Sequence, residues 1–128
     1  MKYLTAEEIL VLHSRIIEET GGLHGVRDSG LLSSAVERPK GRFGGRELYL
    51  GVFEKATVYT EAIAQHHVFV DGNKRTALAA AARFLFINDY EFSATQKDLE
   101  KFALDVAQKK LASGAIAGWL KKHSRKSS

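Results

Sequence analysis

The chain has 128 residues, 45% of them hydrophobic, and a formal net charge of +4, which suits one domain built around one core. It contains no cysteine, so disulfides, thiolate metal sites and a cysteine nucleophile are excluded. No stretch reads as a signal peptide or a membrane span, the longest apolar candidate being interrupted by Arg83, and a cytoplasmic location is expected.

The first helix is announced by its cap. Thr5 followed by Glu8 is a capping-box pattern, and Leu4 with Ile9 has the spacing of a hydrophobic staple. Ile9, Leu12, Ile16 and Ile17 fall on one face, predicting a helix to about Glu19 that Gly21 and Gly22 end. Asp28 or Ser29 caps a second helix through Val36, which Pro39 stops. The glycine-rich stretch at residues 41–45 lacks the order of a P-loop and reads as a loop. Val52, Ala56, Tyr59 and Ile63 mark one side of a helix running from about Leu48 to Gln65. TALAAAARFLFIN, apolar almost all round, marks a buried central helix beginning near Thr76. After Asn88 and Asp89, YEFSA reads as a short extended piece. Thr95 with Asp98 caps a helix to about Lys109, and a last short helix starts near Ser113 and carries Ile116, Trp119 and Leu120. The expectation is an all-α fold, a compact bundle of about six helices over residues 1–121. Residues 122–128 read as a basic, frayed and solvated C-terminal tail.

Between the two central helices lies HVFVDGNKR, residues 67–75. His67 offers an imidazole that titrates near neutral pH and can take a proton from an attacking hydroxyl. Asp71 supplies a hard oxygen suited to Mg2+. Gly72 and Asn73 lead into a helix N-terminus, where backbone N–H groups bind anions, and Lys74 and Arg75 add positive charge there. Phe69 is the apolar anchor between the polar positions. Taken singly these residues have plainer roles: a turn, an N-cap for Asp71, a solvated basic pair. Together they read as a phosphoryl- or nucleotidyl-transfer site. His66 competes with His67 for the role of base, but the spacing to Phe69 and Asp71 favours His67. A zinc site on the histidine pair has no third nitrogen or sulfur ligand at a usual spacing. The basic excess is concentrated in the tail and no nucleic-acid motif accompanies it, so nucleic acid is not expected as a direct partner.

The same string resembles the Fic/Doc family, whose core motif is HPFxxGNGR, and within it the death-on-curing (Doc) branch, which reads HxFxDxNKR. GGLHGVRDSGLLSSAVERP, at residues 21–39, and the phenylalanine-glycine stretch at residues 43–45 resemble the upstream half of Doc-type toxins. The resemblance spans about residues 1–121 and implies the Fic/Doc fold, with the active loop between two central helices. It implies His67 as general base, Asp71 as metal ligand, and Gly72, Asn73, Lys74 and Arg75 as the nucleotide phosphate-binding loop. ATP and Mg2+ are the implied cofactors.

Two departures from the Fic pattern bear on the chemistry. AMP-transferring members carry glycine at the position of Lys74 and a second arginine at the position of Leu78. Lysine crowds the phosphate cradle, and the missing guanidinium removes a bidentate contact. In Doc this variant accompanies ATP bound in the reversed orientation, so the resemblance implies a type II toxin with protein kinase activity. Its acceptor would be a threonine of elongation factor Tu, whose modification arrests translation. AMP transfer to a protein hydroxyl is the alternative within enzymes, and a non-catalytic anion- or nucleotide-binding module is the alternative of another class. The inhibitory pattern [ST]xxxE[GN] of self-restrained Fic proteins is incomplete, because Arg38 follows Ser33 and Glu37 and Ala62 follows Thr57 and Glu61. The resemblance therefore implies external restraint by a Phd-like antitoxin whose disordered segment folds as a helix into a groove.

Overall fold

Thr5 caps α1 (Ala6–Thr20) in the manner its sequence pattern requires, its hydroxyl accepting the Glu8 N–H while the Glu8 carboxylate accepts the Thr5 N–H. In the computed structural model, which describes residues 1–127, five further α-helices follow. They are α2 (Ser29–Glu37), α3 (Val52–His66), α4 (Asn73–Ile87), α5 (Gln96–Ala107) and α6 (Ser113–Lys122). Asp28 caps α2 and Thr95 caps α5, each through its side-chain oxygen. None of these helices is long and apolar enough to cross a membrane.

The centre of the bundle is α3, which packs most extensively on α4 and also touches α2, α5 and α6. Ala56, Ala62 and Ala64 of α3 and Ala77, Ala80 and Ala81 of α4 are all buried, and short side chains suit close approach of two helix backbones. Around them Tyr59, Ile63, Phe69, Phe84, Ile116 and Leu120 complete the core. The Tyr59 hydroxyl accepts the Leu4 N–H, and burial pushes its phenol up to about 12. Tyr59 thus stays neutral while pinning the N-terminal strand of chain to the core.

The boundaries differ from the sequence reading in three places. α3 starts at Val52, because residues 48–51 stay outside the helix and the Glu54 carboxylate accepts the Leu50 N–H instead. α4 starts at Asn73, because Gly72 takes a left-handed conformation (φ +74°) as its N-cap. Glycine does this without steric cost. The glycine-rich stretch is a hairpin: β1 (Arg42–Phe43) pairs antiparallel with β2 (Arg46–Glu47) across Gly44 and Gly45, both at positive φ, as the type I′ class of two-residue hairpin turn requires. A single 3-10 turn (Arg38–Lys40) precedes it. Lys55, only 1% exposed, joins these pieces: its ammonium donates to the Pro39 carbonyl at 3.2 Å and to Glu47 at 3.0 Å.

The C-terminal tail also differs from the frayed segment that its composition suggests. Residues Ser124–Lys126 form β4, antiparallel to β3 (Tyr90–Phe92). Arg125 pairs with Glu91 at 2.8 Å, and the Ser127 N–H donates to the Asp89 carbonyl. Ser128, the end of that tail, lies outside the described residues.

Candidate active site

The motif occupies the connection between α3 and α4. α3 ends at His66, and His67 takes a left-handed backbone conformation (φ 50°, ψ 60°) that turns the chain out of the helix. Val68 and Phe69 then dive into the core, whereas His66, His67, Val70 and Asp71 stay exposed. Residues 25–28 run antiparallel beside this stretch. Val26 bridges Phe69, the Arg27 and Asp28 N–H groups donate to the Val68 carbonyl, and the Val70 N–H donates to Gly25. The glycine-rich upstream block is therefore the partner strand of the motif.

Four motif residues are held by specific contacts. The Arg27 guanidinium donates to the carbonyls of His67 (2.6 Å) and His66 (2.9 Å). The Phe69 ring stacks on His13, with centroids 3.8 Å apart and planes within 6°. The Asn73 side chain is bonded at both ends to Phe69, accepting its N–H and donating to its carbonyl, each at 2.9 Å. His13 lies 2.8 Å from the Asp71 carbonyl through Nε2, and because a carbonyl only accepts, that nitrogen must carry the proton.

The Asp71 carboxylate accepts the Leu23 N–H at 3.0 Å. It does not cap α4; Gly72 stands at that position and no side chain closes the helix end. The plainer N-cap role is thus removed for Asp71, which stays exposed. A carboxylate with one oxygen tied down and its face open suits Mg2+, which binds through one or two carboxylates plus phosphate oxygens and water. Among the described residues no group of three or more His, Asp or Glu side chains comes together in a way that could hold a metal ion.

The N-terminus of α4 has the donors that an anion cradle needs. Its first-turn N–H groups have no intrahelical acceptors, and Lys74 and Arg75 are exposed beside them. Asn73 contributes its backbone alone, since its side chain is fully engaged with Phe69. A Cβ on Gly72 would meet Ile17 Cδ1 at 3.1 Å, so both its φ and its lack of a side chain are used. Next to the cradle a groove of about 450 Å3 runs between α1, α4 and α5, lined by Ile16, Thr20, Lys74, Arg75, Leu78 and Leu99 among others. A separate cleft of about 580 Å3 lies along α3 between Tyr49, Glu61, Gln65 and Ser113, and none of the motif residues lines it.

Of the residues singled out by sequence, His67, Phe69, Asp71, Gly72, Asn73, Lys74 and Arg75 thus share one loop and the helix turn after it. His13 was not foreseen. Its signal was present, since it stands four residues from both Ile9 and Ile17 on the buried stripe of α1, an apolar position given to an imidazole. Arg27 was visible in the upstream block, but its partners are carbonyls, which leave no trace in sequence.

Comparison with known proteins agrees with this arrangement. Residues 3–85 match the sequence model of the Fic/DOC family. The chain is similar to Toxin Doc of Mycolicibacterium smegmatis (strain ATCC 700084 / mc(2)155), with 42% identity over 93 residues that cover 73% of this chain and 69% of the relative. It is also similar to Protein kinase doc of Escherichia phage P1, with 38% identity over 85 residues covering 66% and 67% respectively. The matched region begins before α1 and reaches into the last turn of α4, enclosing every element that builds the loop, and the chain belongs to the Fic/DOC family.

Proposed function

We propose that this Doc-type toxin is an ATP- and Mg2+-dependent protein kinase that phosphorylates a threonine of elongation factor Tu and so arrests translation. The observation that carries the reading is the pair of departures at the cradle. Lys74 stands exposed at the N-terminus of α4, and Leu78, one turn on, adds an apolar wall to the neighbouring groove where an AMP transferase would carry a guanidinium. The likeness to a relative named as a protein kinase supports it.

In this reading the threonine oxygen attacks the γ-phosphorus, its proton passes to His67, and ADP leaves. Lys74, Arg75 and the first N–H groups of α4 hold the phosphate oxygens and offset charge in the transfer. Asp71 is the protein ligand for Mg2+, which when bound supplies further neutralisation of phosphate charge. The protein's own contribution is placement, and a loop held as tightly as this one suits it. A Phd-like antitoxin is the proposed restraint, its helix lying in the groove between α1, α4 and α5. An occupant there covers Lys74 and Arg75, and an acidic helix complements them.

The test is incubation of the purified protein with elongation factor Tu, Mg2+ and ATP labelled at the γ- or the α-phosphate, with His67→Ala as control. The expected result is transfer of the γ label alone, abolished in His67→Ala. Transfer of the α label would replace kinase by AMP transfer. No label from either, with undiminished growth arrest by His67→Ala in cells, would leave a binding module.

A further inference from the structure

Two side chains that take no part in phosphoryl transfer hold the loop, at different atoms and from different segments. Arg27 reaches the carbonyls of His66 and His67. His13 reaches the carbonyl of Asp71 and stacks on Phe69. We propose that Arg27 and His13 are positioning residues with separable duties, Arg27 setting the His67 side chain and His13 setting Asp71. The roles of base and metal ligand on which this rests are those of the kinase reading.

His67 is not glycine, yet its φ is +50°, a conformation other residues adopt only when their surroundings demand it. The last carbonyls of α3 lack intrahelical partners, and the Arg27 fork takes two of them. Arg27 is itself preplaced, because its own N–H donates to the Val68 carbonyl at 2.8 Å. Without the fork the cheaper course for His67 is a right-handed conformation that continues α3. Each added helical residue turns the side-chain direction by about 100°, so the imidazole would point elsewhere. Lysine cannot replace this contact, since it is a point charge rather than a planar fork.

His13 acts on the other end of the loop. Its ring lies flat on Phe69, so its direction is set by the core, and its Nε2–H fixes the peptide that joins Asp71 to Gly72. The Asp71 carboxylate has its own tie to the Leu23 N–H. With the backbone and one oxygen both held, the carboxylate of this exposed residue has little freedom to turn. Contacts of this kind, one shell behind a ligand, commonly decide its affinity for metal.

The experiment compares Arg27→Lys, His13→Phe and His13→Gln with the native chain. Phenylalanine keeps the ring stack and loses the donor; glutamine keeps a donor and loses the ring. Three readouts are taken: kcat for label transfer, Mn2+-induced paramagnetic broadening at Asp71 without nucleotide, and the His67 13Cα chemical shift, which follows its backbone angles. Arg27→Lys is expected to lower kcat roughly 10- to 100-fold, to move the His67 shift towards helical values, and to leave Mn2+ binding as it was. His13→Phe is expected to weaken Mn2+ binding roughly 10- to 100-fold and leave the His67 shift in place, with His13→Gln recovering most of the metal binding. If all readouts move together in proportion to a fall in melting temperature, or if Phe and Gln behave alike, or if nothing moves, the contacts belong to the fold alone and the proposal is overturned. Absence of Mn2+ broadening in the native chain overturns the His13 half. A native chain that transfers no label sinks the kinase reading instead, while the shift and the broadening still decide this one.

Discussion

A side chain bonded at both ends has nothing left to offer a ligand, and Asn73 is such a case. Its amide closes a small ring with the Phe69 backbone inside the protein, so it shapes the turn that leads into α4. Asn73→Ala is expected to leave the Phe69 N–H and carbonyl without partners, at about 1–3 kcal/mol for each group so stranded, measured as a fall in the urea midpoint. Asn73→Asp keeps an acceptor for the N–H but sets a carboxylate against a carbonyl, and should recover only part of that loss. The sequence revealed Asn73 by its motif position but not the two bonds its side chain makes to Phe69. The motif names which residues meet; it does not say which face the ligand and which face the loop. His67, Asp71, Lys74 and Arg75 were assigned roles that need exposed side chains, and all four are exposed.

Helix starts with a local cap were readable because the cap is written within four residues. Thr5 with Glu8 and Thr95 with Asp98 are such cases, and both helices begin where those pairs stand. The hairpin at residues 42–47 was not readable, because strands of two residues are too short to show alternation. What holds it in place is the contact with Lys55, on a helix that reads as simply amphipathic. Burial pushes the Lys55 ammonium down, but Glu47 and Tyr3 more than offset this and its pKa lies above the ordinary 10.5. The Glu47 carboxyl is held below its ordinary 4.5 by the Lys55 ammonium. The signs follow from linkage: the Glu47 share of stability is present above about pH 4.5 and is lost as pH falls through its lowered value, and the Lys55 share is complete below about pH 10.5 and is lost as pH rises through its raised value. Lys55→Met fills the same space but strands the Pro39 carbonyl, so about 1–3 kcal/mol should be lost. Chemical denaturation across pH should show that difference level between those limits and shrinking at both ends.

At the scale of the molecule, the count and order of helices followed from periodicity, whereas the closing strand did not. Composition made residues 122–128 look like solvent-exposed tail, yet β4 closes a two-stranded sheet with β3. The aromatic stack of Trp119 between Phe102 and His123 leads straight into it. Only tertiary pairing gives so polar a segment a place. Truncation after His123 removes that sheet and the Arg125–Glu91 pair, and should cost about 1–2 kcal/mol and lower the melting temperature by roughly 4–12 °C in calorimetry.

Residues 18–30 form an unbroken exposed run that carries Gly21, Gly22 and Gly25 at positive φ, and that run supplies the strand beside the motif, the Leu23 tie to Asp71 and the Arg27 fork. A protease that nicks it leaves the nine-residue motif covalently whole and its supports cut loose. The same dependence governs synthesis on the ribosome, since the first 28 residues emerge early but find their places only when α3 and the start of α4 have followed. Disarming this protein therefore requires no cut near the histidine, and a fragment that begins at α2 would bear the full signature of the family without a working site.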